Sequence, residues 1–337
     1  MRAVAYSTCR PIEAEDSLFD CDVQDPVIGV RDLLVAVRAI SVNPVDTKVR
    51  RKAEPSKGEL KILGWDAAGT VIGLGSDVHN FKIGDDVFYA GDLNRQGTNA
   101  EHHAVDERIV GLMPTSLNYA QAAALPLTAI TAWEVLFDRL DVKRPVGDSN
   151  NSILVIGGAG GVSSITIQLA RLLTPLTVIA TASSDASRHW VKQMGAHAVL
   201  DHSAPLAEEM RKHGLQAPGF VFSTTETVQH LAQIAELIAP QGRFAVIDDP
   251  AVLDINPFKR KSVSVHWEFM FTRSMHHTAD MGAQGQLLNE VARLVDGGKL
   301  KSTLGNNFGR INAANLKRAH ALIETRRTKG KIVLEGF

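Results

Sequence analysis

The run Gly157-Gly158-Ala159-Gly160-Gly161-Val162 follows the apolar stretch Ile153-Leu154-Val155-Ile156. It precedes a helical pattern with apolar residues at Val162, Ile165, Leu169, Leu172 and Leu173. Strand, glycine turn and helix in that order separate a dinucleotide fingerprint from a chance glycine cluster. Glycines let the backbone approach a pyrophosphate, and the free N–H groups of the helix start meet its charge. Gly158 and Gly160 fit G-x-G-x-x-G, while Ser163 takes the third place and is small enough for close helix–sheet packing. The next strand, 177–182, runs into Ser183-Ser184 and lacks the carboxylate that binds a ribose 2′-hydroxyl in NAD sites. Asp185 reads as a helix cap. Ser183 and Ser184 as donors, with Arg188 one turn into the helix, suit a 2′-phosphate. The alternative for Arg188 is a solvated surface charge. The expected cofactor is NADPH rather than NADH.

Such a turn needs a parallel sheet behind it. From residue 153 onward, strands (153–156, 177–182, 198–200, 220–222, 244–247 and 263–271) alternate with helices (162–173, 185–194, 206–213 and 228–238). The strands are continuous apolar runs, as a sheet covered on both faces requires. Alternation with short loops argues a doubly wound α/β fold. The chain before residue 118 reads instead as β-rich, with strands at 33–42, 69–75 and 86–90, and a helical pattern follows over 127–140. Helices are expected over 287–295 and 313–323, and Ile332-Val333-Leu334 is a closing strand that needs a sheet to join. The β-rich region is the candidate partner. The expected organisation is a discontinuous outer domain, 1–122 with 275–337, interrupted by a dinucleotide-binding domain at 123–274.

Composition narrows the partners. With 36 Lys+Arg against 37 Asp+Glu, the formal charge is −1, and no basic face for nucleic acid is expected. No apolar run of about 20 residues stands out, so no membrane partner is expected. Two cysteines, Cys9 and Cys21, cannot frame a chain of 337 residues with disulfides. A reduced, cytoplasmic setting with a small-molecule ligand is the expectation.

Several motifs carry a resemblance over essentially the whole chain. They are Asn43-Pro44-Val45-Asp46, Leu63-Gly64-Trp65-Asp66-Ala67-Ala68-Gly69, Gly84-Asp85-Asp86-Val87, Leu125-Pro126-Leu127-Thr128, the glycine turn, His266-Trp267-Glu268-Phe269-Met270-Phe271-Thr272-Arg273, and Gly330-Lys331-Ile332-Val333-Leu334. In this order and spacing the chain resembles the medium-chain dehydrogenases/reductases. More narrowly, it resembles their zinc-independent quinone oxidoreductase branch, including proteins called zinc-type alcohol dehydrogenase-like. The resemblance implies a GroES-like outer catalytic domain, a Rossmann-type inner domain, an active site in the cleft between them, and a homodimer paired through the sixth inner strand. It implies that Asn43 lies near the nicotinamide and Thr128 contacts it. Ala159, Gly160, Gly161 and Val162 would face the pyrophosphate, and Ser183 the 2′-phosphate. His202 stands where relatives carry a Tyr reaching that phosphate. Lys331 would add positive charge there or at the cleft.

The zinc-dependent members are the sharpest alternative. A catalytic zinc takes three protein ligands. The resemblance would put a Cys at position 43, a His-Glu pair at 65–66 and another Cys near 124–125. This chain has Asn43, Trp65-Asp66 and Ala124-Leu125, and its cysteines both precede these places. No metal is expected. His102-His103 and His276-His277 read as solvated or hydrogen-bonded pairs.

Without a metal to polarise a ketone, the acceptor must take hydride easily. A quinone or an α,β-unsaturated carbonyl does so. Asn43, Trp65 and Thr128 are the residues expected near it, with Asn43 as a donor to the acceptor oxygen. Trp65 is either a wall of that pocket or plain core, and Asp46 is a helix cap. A non-catalytic NADPH-sensing or partner-binding protein is the alternative from another class.

Overall fold

Residues 1–147 and 149–337 are described by the computed structural model. The chain begins with β1 (Arg2–Tyr6), β2 (Phe19–Asp22), β3 (Asp32–Val42), α1 (Pro44–Lys52), β4 (Lys61–Ile62), β5 (Asp66–Leu74), β6 (Asp86–Ala90), β7 (His102–Asp106) and β8 (Val110–Leu112). Helices α2 (Tyr119–Ala123) and α3 (Pro126–Trp133) follow. Next come β9 (Asn150–Ile156), α4 (Gly161–Leu173), β10 (Thr177–Thr181), α5 (Asp185–Gln193), β11 (Ala198–Leu200), α6 (Leu206–Lys212), β12 (Pro218–Ser223), α7 (Thr227–Leu237), β13 (Arg243–Val246) and β14 (Ser264–Trp267). The chain ends with α8 (Thr272–Met275), α9 (Ala283–Asp296), β15 (Leu304–Asn307), α10 (Ala313–Glu324) and β16 (Lys331–Glu335). It divides into two compact units, residues 1–130 with 271–337 and residues 131–270.

In the outer unit, β3 is the organising strand. Its eleven residues are apolar at almost every place and buried along most of their length. They pair antiparallel with β5, β7 and β16. The closing strand therefore finds its sheet, with Ile332 opposite Val42 and Leu334 opposite Ile40. This sheet has the order β15-β16-β3-β5-β6-β8, with β7 also on β3. A smaller sheet, β2-β1-β4, lies within the same unit.

In the inner unit, six strands run in the order β11-β10-β9-β12-β13-β14, and every pairing is parallel. This is the doubly wound order, with its reversal between β9 and β12, where ligands bind beyond the carboxyl ends of the strands. Leu154, Ile156, Ile179, Val221, Phe244 and Val246 of the sheet pack with Leu206, Leu231 and Ile234 of the helices. Each such side chain contributes about 1.5–3 kcal/mol by leaving water.

Three expectations need correcting. The sixth strand stops at Trp267, four residues before Phe271, because Glu268 makes the last main-chain bond to Val246 and its side chain turns to an ion pair with Arg139 (2.9 Å). The 127–140 pattern is not one α-helix. After Trp133 the chain forms a π-helical turn over Glu134–Arg139, with Leu140 N–H bonding Val135 O. Asp185 is not the cap of α5: Ser184 is, accepting from Ser187 N–H. The helical run Tyr119–Arg139 is also long and apolar enough to cross a membrane by length and composition alone, although scattered polar residues hide this in the sequence. Its most apolar window is 83% buried inside the protein, as core helices are.

Candidate active site

The outer unit gathers its chemistry around Asp66, the first residue of β5. One carboxylate oxygen accepts the Leu127 N–H at the start of α3 (2.7 Å). The other accepts the Asn43 side-chain amide (2.8 Å) and the Lys331 ammonium (3.0 Å). Lys331 also donates to the Asn43 amide oxygen and to Val42 O (3.3 Å). Asn43 spends its amide N–H groups on Asp66 and on Ser41 O (3.3 Å). These residues come from β3, the start of α1, β5 and β16. The β3–β16 pairing brings Lys331 to Asn43. All are buried, so each polar atom needs its partner.

Asp46 lies against this cluster as the third residue of α1. It closes a capping box by accepting Asn43 N–H (2.6 Å) and reaches on to Gly64 N–H (3.0 Å). Burial pushes its pKa up to about 7, against the pull of the Asn43 N–H and the nearby Lys331 charge. Trp65 is fully buried, with its indole N–H on Asp92 O (3.1 Å) and its ring edge-on to Phe271. Thr128 is buried, with its hydroxyl on Leu125 O (3.0 Å). Of the three residues expected near the acceptor, Asn43 bonds Asp66 directly, Trp65 precedes Asp66 in the chain, and Thr128 follows Leu127, whose N–H Asp66 accepts. Their polar atoms point into the protein. Lys331 is there as well, with its charge matched to Asp66 rather than held out for a phosphate.

This donor set does not fit a catalytic zinc. At the three ligand places stand an amide already bonded at both ends, an indole and a pair of aliphatic residues. The one carboxylate, Asp66, faces an ammonium at 3.0 Å. A divalent cation would have to displace or oppose that charge. Among the described residues, no group of three or more His, Cys, Asp or Glu could hold a metal ion. His103 is buried, with one ring nitrogen at Tyr89 OH (3.0 Å) and the other at Gln96 O (3.0 Å). His102 pairs with Asp25, while His276 and His277 are exposed.

The inner unit carries the glycine turn. Gly157 has φ +80°, a conformation that suits glycine. A Cβ on Gly158 would lie 3.0 Å from both Ala180 Cβ and Thr181 O, so a side chain here would press on β10 and glycine lets the turn sit close to it. Gly160 is the N-cap of α4, and no side chain caps that helix. Ala159, Gly160, Gly161 and Val162 are partly exposed there. An uncapped helix start beside a tight glycine turn fits a dinucleotide pyrophosphate.

At the tip of β10, Ser183 is exposed, and the Ser184 hydroxyl is bound up with Ser187 (2.8 Å). Arg188 reaches back to Asp201, just past β11 (2.5 Å), and brushes Ser183 O (3.4 Å). The Thr181 hydroxyl accepts Gly157 N–H (3.0 Å) and shares a hydrogen bond with His202 Nδ1 (3.1 Å). Burial lowers the pKa of His202 below its ordinary value.

Sequence reasoning missed Asp201 and the pair Glu134–Glu268. Both glutamates are buried in the inner unit and hydrogen-bonded to each other, with Arg139 alongside. The available signal was an acid inside each of two apolar runs, Ala132-Trp133-Glu134-Val135-Leu136-Phe137 and Trp267-Glu268-Phe269-Met270-Phe271.

Residues 29–130 match the alcohol dehydrogenase GroES-like domain family, and residues 194–334 match the zinc-binding dehydrogenase family. A zinc-type alcohol dehydrogenase-like protein of Staphylococcus aureus (strain MSSA476) is 39% identical over 308 residues, 90% of each chain. The 2-methylene-furan-3-one reductase of Solanum lycopersicum is 34% identical over 220 residues, 62% of this chain and 54% of the reductase. A crystal structure from Rhizobium etli CFN 42, whose name is that of a zinc-dependent alcohol dehydrogenase, superposes with a TM-score of 0.98 at 58% identity, covering 100% of this chain and 98% of the other.

Proposed function

Because the chain belongs to the medium-chain dehydrogenase/reductase superfamily of nicotinamide-dependent oxidoreductases, we propose that it is an NADPH-dependent reductase of quinones or α,β-unsaturated carbonyls that works without catalytic zinc. The observation that carries this reading is the ammonium of Lys331 on Asp66, with Asn43 bonded to both, where the zinc-dependent members would hold their metal. A Lewis acid is what makes an unactivated ketone or alcohol reactive. A conjugated acceptor needs less help, because the charge left by hydride addition spreads over an enolate or a hydroquinone oxygen. The tomato relative's name, a reductase of a 2-methylene-furan-3-one, is that of an enone reductase.

Gly158, Ala159, Gly160, Gly161 and Val162 would hold the pyrophosphate, and Ser183, Ser184, Arg188 and His202 would surround the adenosine ribose. Bound there, NADPH supplies the hydride. In the outer unit, Asn43, Trp65 and Thr128 would form a rigid, dry floor. Their hydrogen bonds are all made inward, so they contribute shape and exclusion of water. The proton that completes the reduction would come from water.

The test is NADPH oxidation by chelator-treated protein against a panel of quinones, enones and aldehydes, with NADP⁺ reduction by alcohols as the reverse assay. Turnover is expected with quinones or enones and is expected not to rise on adding Zn²⁺. Turnover confined to alcohols or aldehydes and restored by zinc would sink the reading.

The reading includes a cytoplasmic homodimer. Among the described residues β14 pairs with β13 alone, and Trp267 and Phe269 beside its free edge are about half exposed. Sedimentation at twice the monomer mass is the expected result.

A further inference from the structure

We propose that Asp201 is a specificity-determining residue for the cofactor: by pairing with Arg188 at the tips of β10 and β11, it cancels the positive charge that would otherwise favour a 2′-phosphate. The inference rests on the reading that the inner unit holds a dinucleotide beyond the carboxyl ends of its strands.

In a doubly wound sheet the adenosine ribose lies beyond the second strand, which here is β10. The groups at that tip can be counted one by one. The Ser183 hydroxyl is exposed. The Ser184 hydroxyl is spent on the α5 cap. Burial holds the pKa of His202, whose Nδ1 lies 3.1 Å from the Thr181 hydroxyl, below its ordinary value, which favours the uncharged ring. Arg188 is the one cation among them, and its Nη2 lies 2.5 Å from Asp201 Oδ2.

Asp201 is itself held in place. Its other oxygen accepts the Ser203 N–H (2.9 Å) and hydroxyl (2.6 Å), and its own N–H donates to Glu209 (3.1 Å). The Ser203 bonds, with Arg188 beside them, bring the Asp201 carboxyl down to about 2. It therefore stays ionised at neutral pH and does not release Arg188 by protonation. Arg188 and Asp201 together carry no net charge. Arg188 keeps N–H groups for a phosphate, since a guanidinium has five. A phosphate approaching them also meets the Asp201 carboxylate.

Replacing Asp201 by Asn keeps the shape and removes that charge. For one charge acting on a phosphate dianion near a protein surface, the Coulomb effect is about three- to tenfold in affinity.

The experiment is calorimetric titration of NADPH and NADH into the full-length wild type, Asp201→Asn, Asp201→Ser and Arg188→Ala at fixed ionic strength. Both Asp201 variants are expected to raise the ratio Kd(NADH)/Kd(NADPH) by about three- to tenfold. The change should come mainly from tighter NADPH binding and shrink in high salt. Arg188→Ala is expected to lower the ratio. An unchanged or lowered ratio in both Asp201 variants, with the wild type binding normally, overturns the role of Asp201 alone. A wild type that binds neither dinucleotide overturns the cofactor reading and this inference with it. A wild type that prefers NADH, with the ratio still rising in the variants, removes NADPH as the cofactor and supports the role of Asp201.

Discussion

Lys331→Met is expected to lower folding stability by about 3–5 kcal/mol, the cost of breaking a buried ion pair by removing one partner. Lys331 and Asp66 side chains are 4% and 0% exposed, so no solvent shell can replace the lost ammonium. Three acceptors lose a donor at once: Asp66 Oδ2, Asn43 Oδ1 and Val42 O. Methionine fills a similar volume, so the loss reports on charge rather than on a cavity. Asp46 deepens the effect, because Lys331 is one of the groups holding its pKa down and Asp66 one of those raising it. Without the ammonium Asp46, already raised by burial, takes up a proton more readily still in the folded state than in the unfolded one. A group whose pKa is raised by folding contributes stability at low pH and loses it as pH rises. The deficit of Lys331→Met should therefore be smaller at pH 5 than at pH 8. Adding Asp66→Asn should recover much of it, since the uncompensated charge is then gone. Denaturant unfolding of the outer unit, followed at both pH values, measures this. A single variant within about 1 kcal/mol of wild type would show that the network contributes little to stability.

The inner sheet is legible in the sequence because β9, β10, β12 and β13 are unbroken apolar runs set off by turns. The glycine turn is legible for a local reason too, since its conformation is decided within six residues. The Asp66 cluster is different. Lys331 and Asn43 are 288 positions apart. That the 332–334 strand needs a sheet can be read from its apolar run. The side on which its neighbouring lysine comes to rest depends on register, here Ile332 opposite Val42. A one-residue slip would turn that ammonium outward. Strand β7 was missed because His102-His103 reads as polar, and burial of His103 rests on Tyr89, a tertiary partner. At the ribose tip the residue types suggested positive charge at Arg188. What they could not convey is that Asp201, thirteen positions on, already holds it.

The second large effect is expected at Glu268. Glu134 and Glu268 are both buried in the inner unit, and Arg139 lies against both, at 3.7 Å and 2.9 Å. Burial, followed by the charge of Glu134, holds Glu268 well above its ordinary value of 4.5, so one proton stays on the pair at neutral pH. The π-helical turn belongs to this arrangement, because it carries both Glu134 and Arg139. A raised folded-state pKa means that the folded protein binds a proton the unfolded chain releases. The stability tied to this proton is complete below about pH 4.5 and is lost as pH climbs past neutrality. Glu268→Gln imitates the protonated form and needs no proton. Its stability should match wild type near pH 5 and exceed it by about 1–3 kcal/mol at pH 8.5, because a tenfold difference in proton affinity between folded and unfolded chain is worth about 1.4 kcal/mol. Glu268→Ala, by contrast, should destabilise at both pH values, because it leaves a cavity and strips Arg139 of its closer carboxylate. Urea unfolding between pH 5 and 9 separates these outcomes. A Glu268→Gln curve parallel to wild type across that range would mean that the pair does not hold a proton. The position of Glu268 extends the prediction to function. It sits at the carboxyl end of β14, the end of a parallel sheet at which ligands bind. Alkaline loss of nicotinamide binding in wild type, relieved in Glu268→Gln, is the expected companion result.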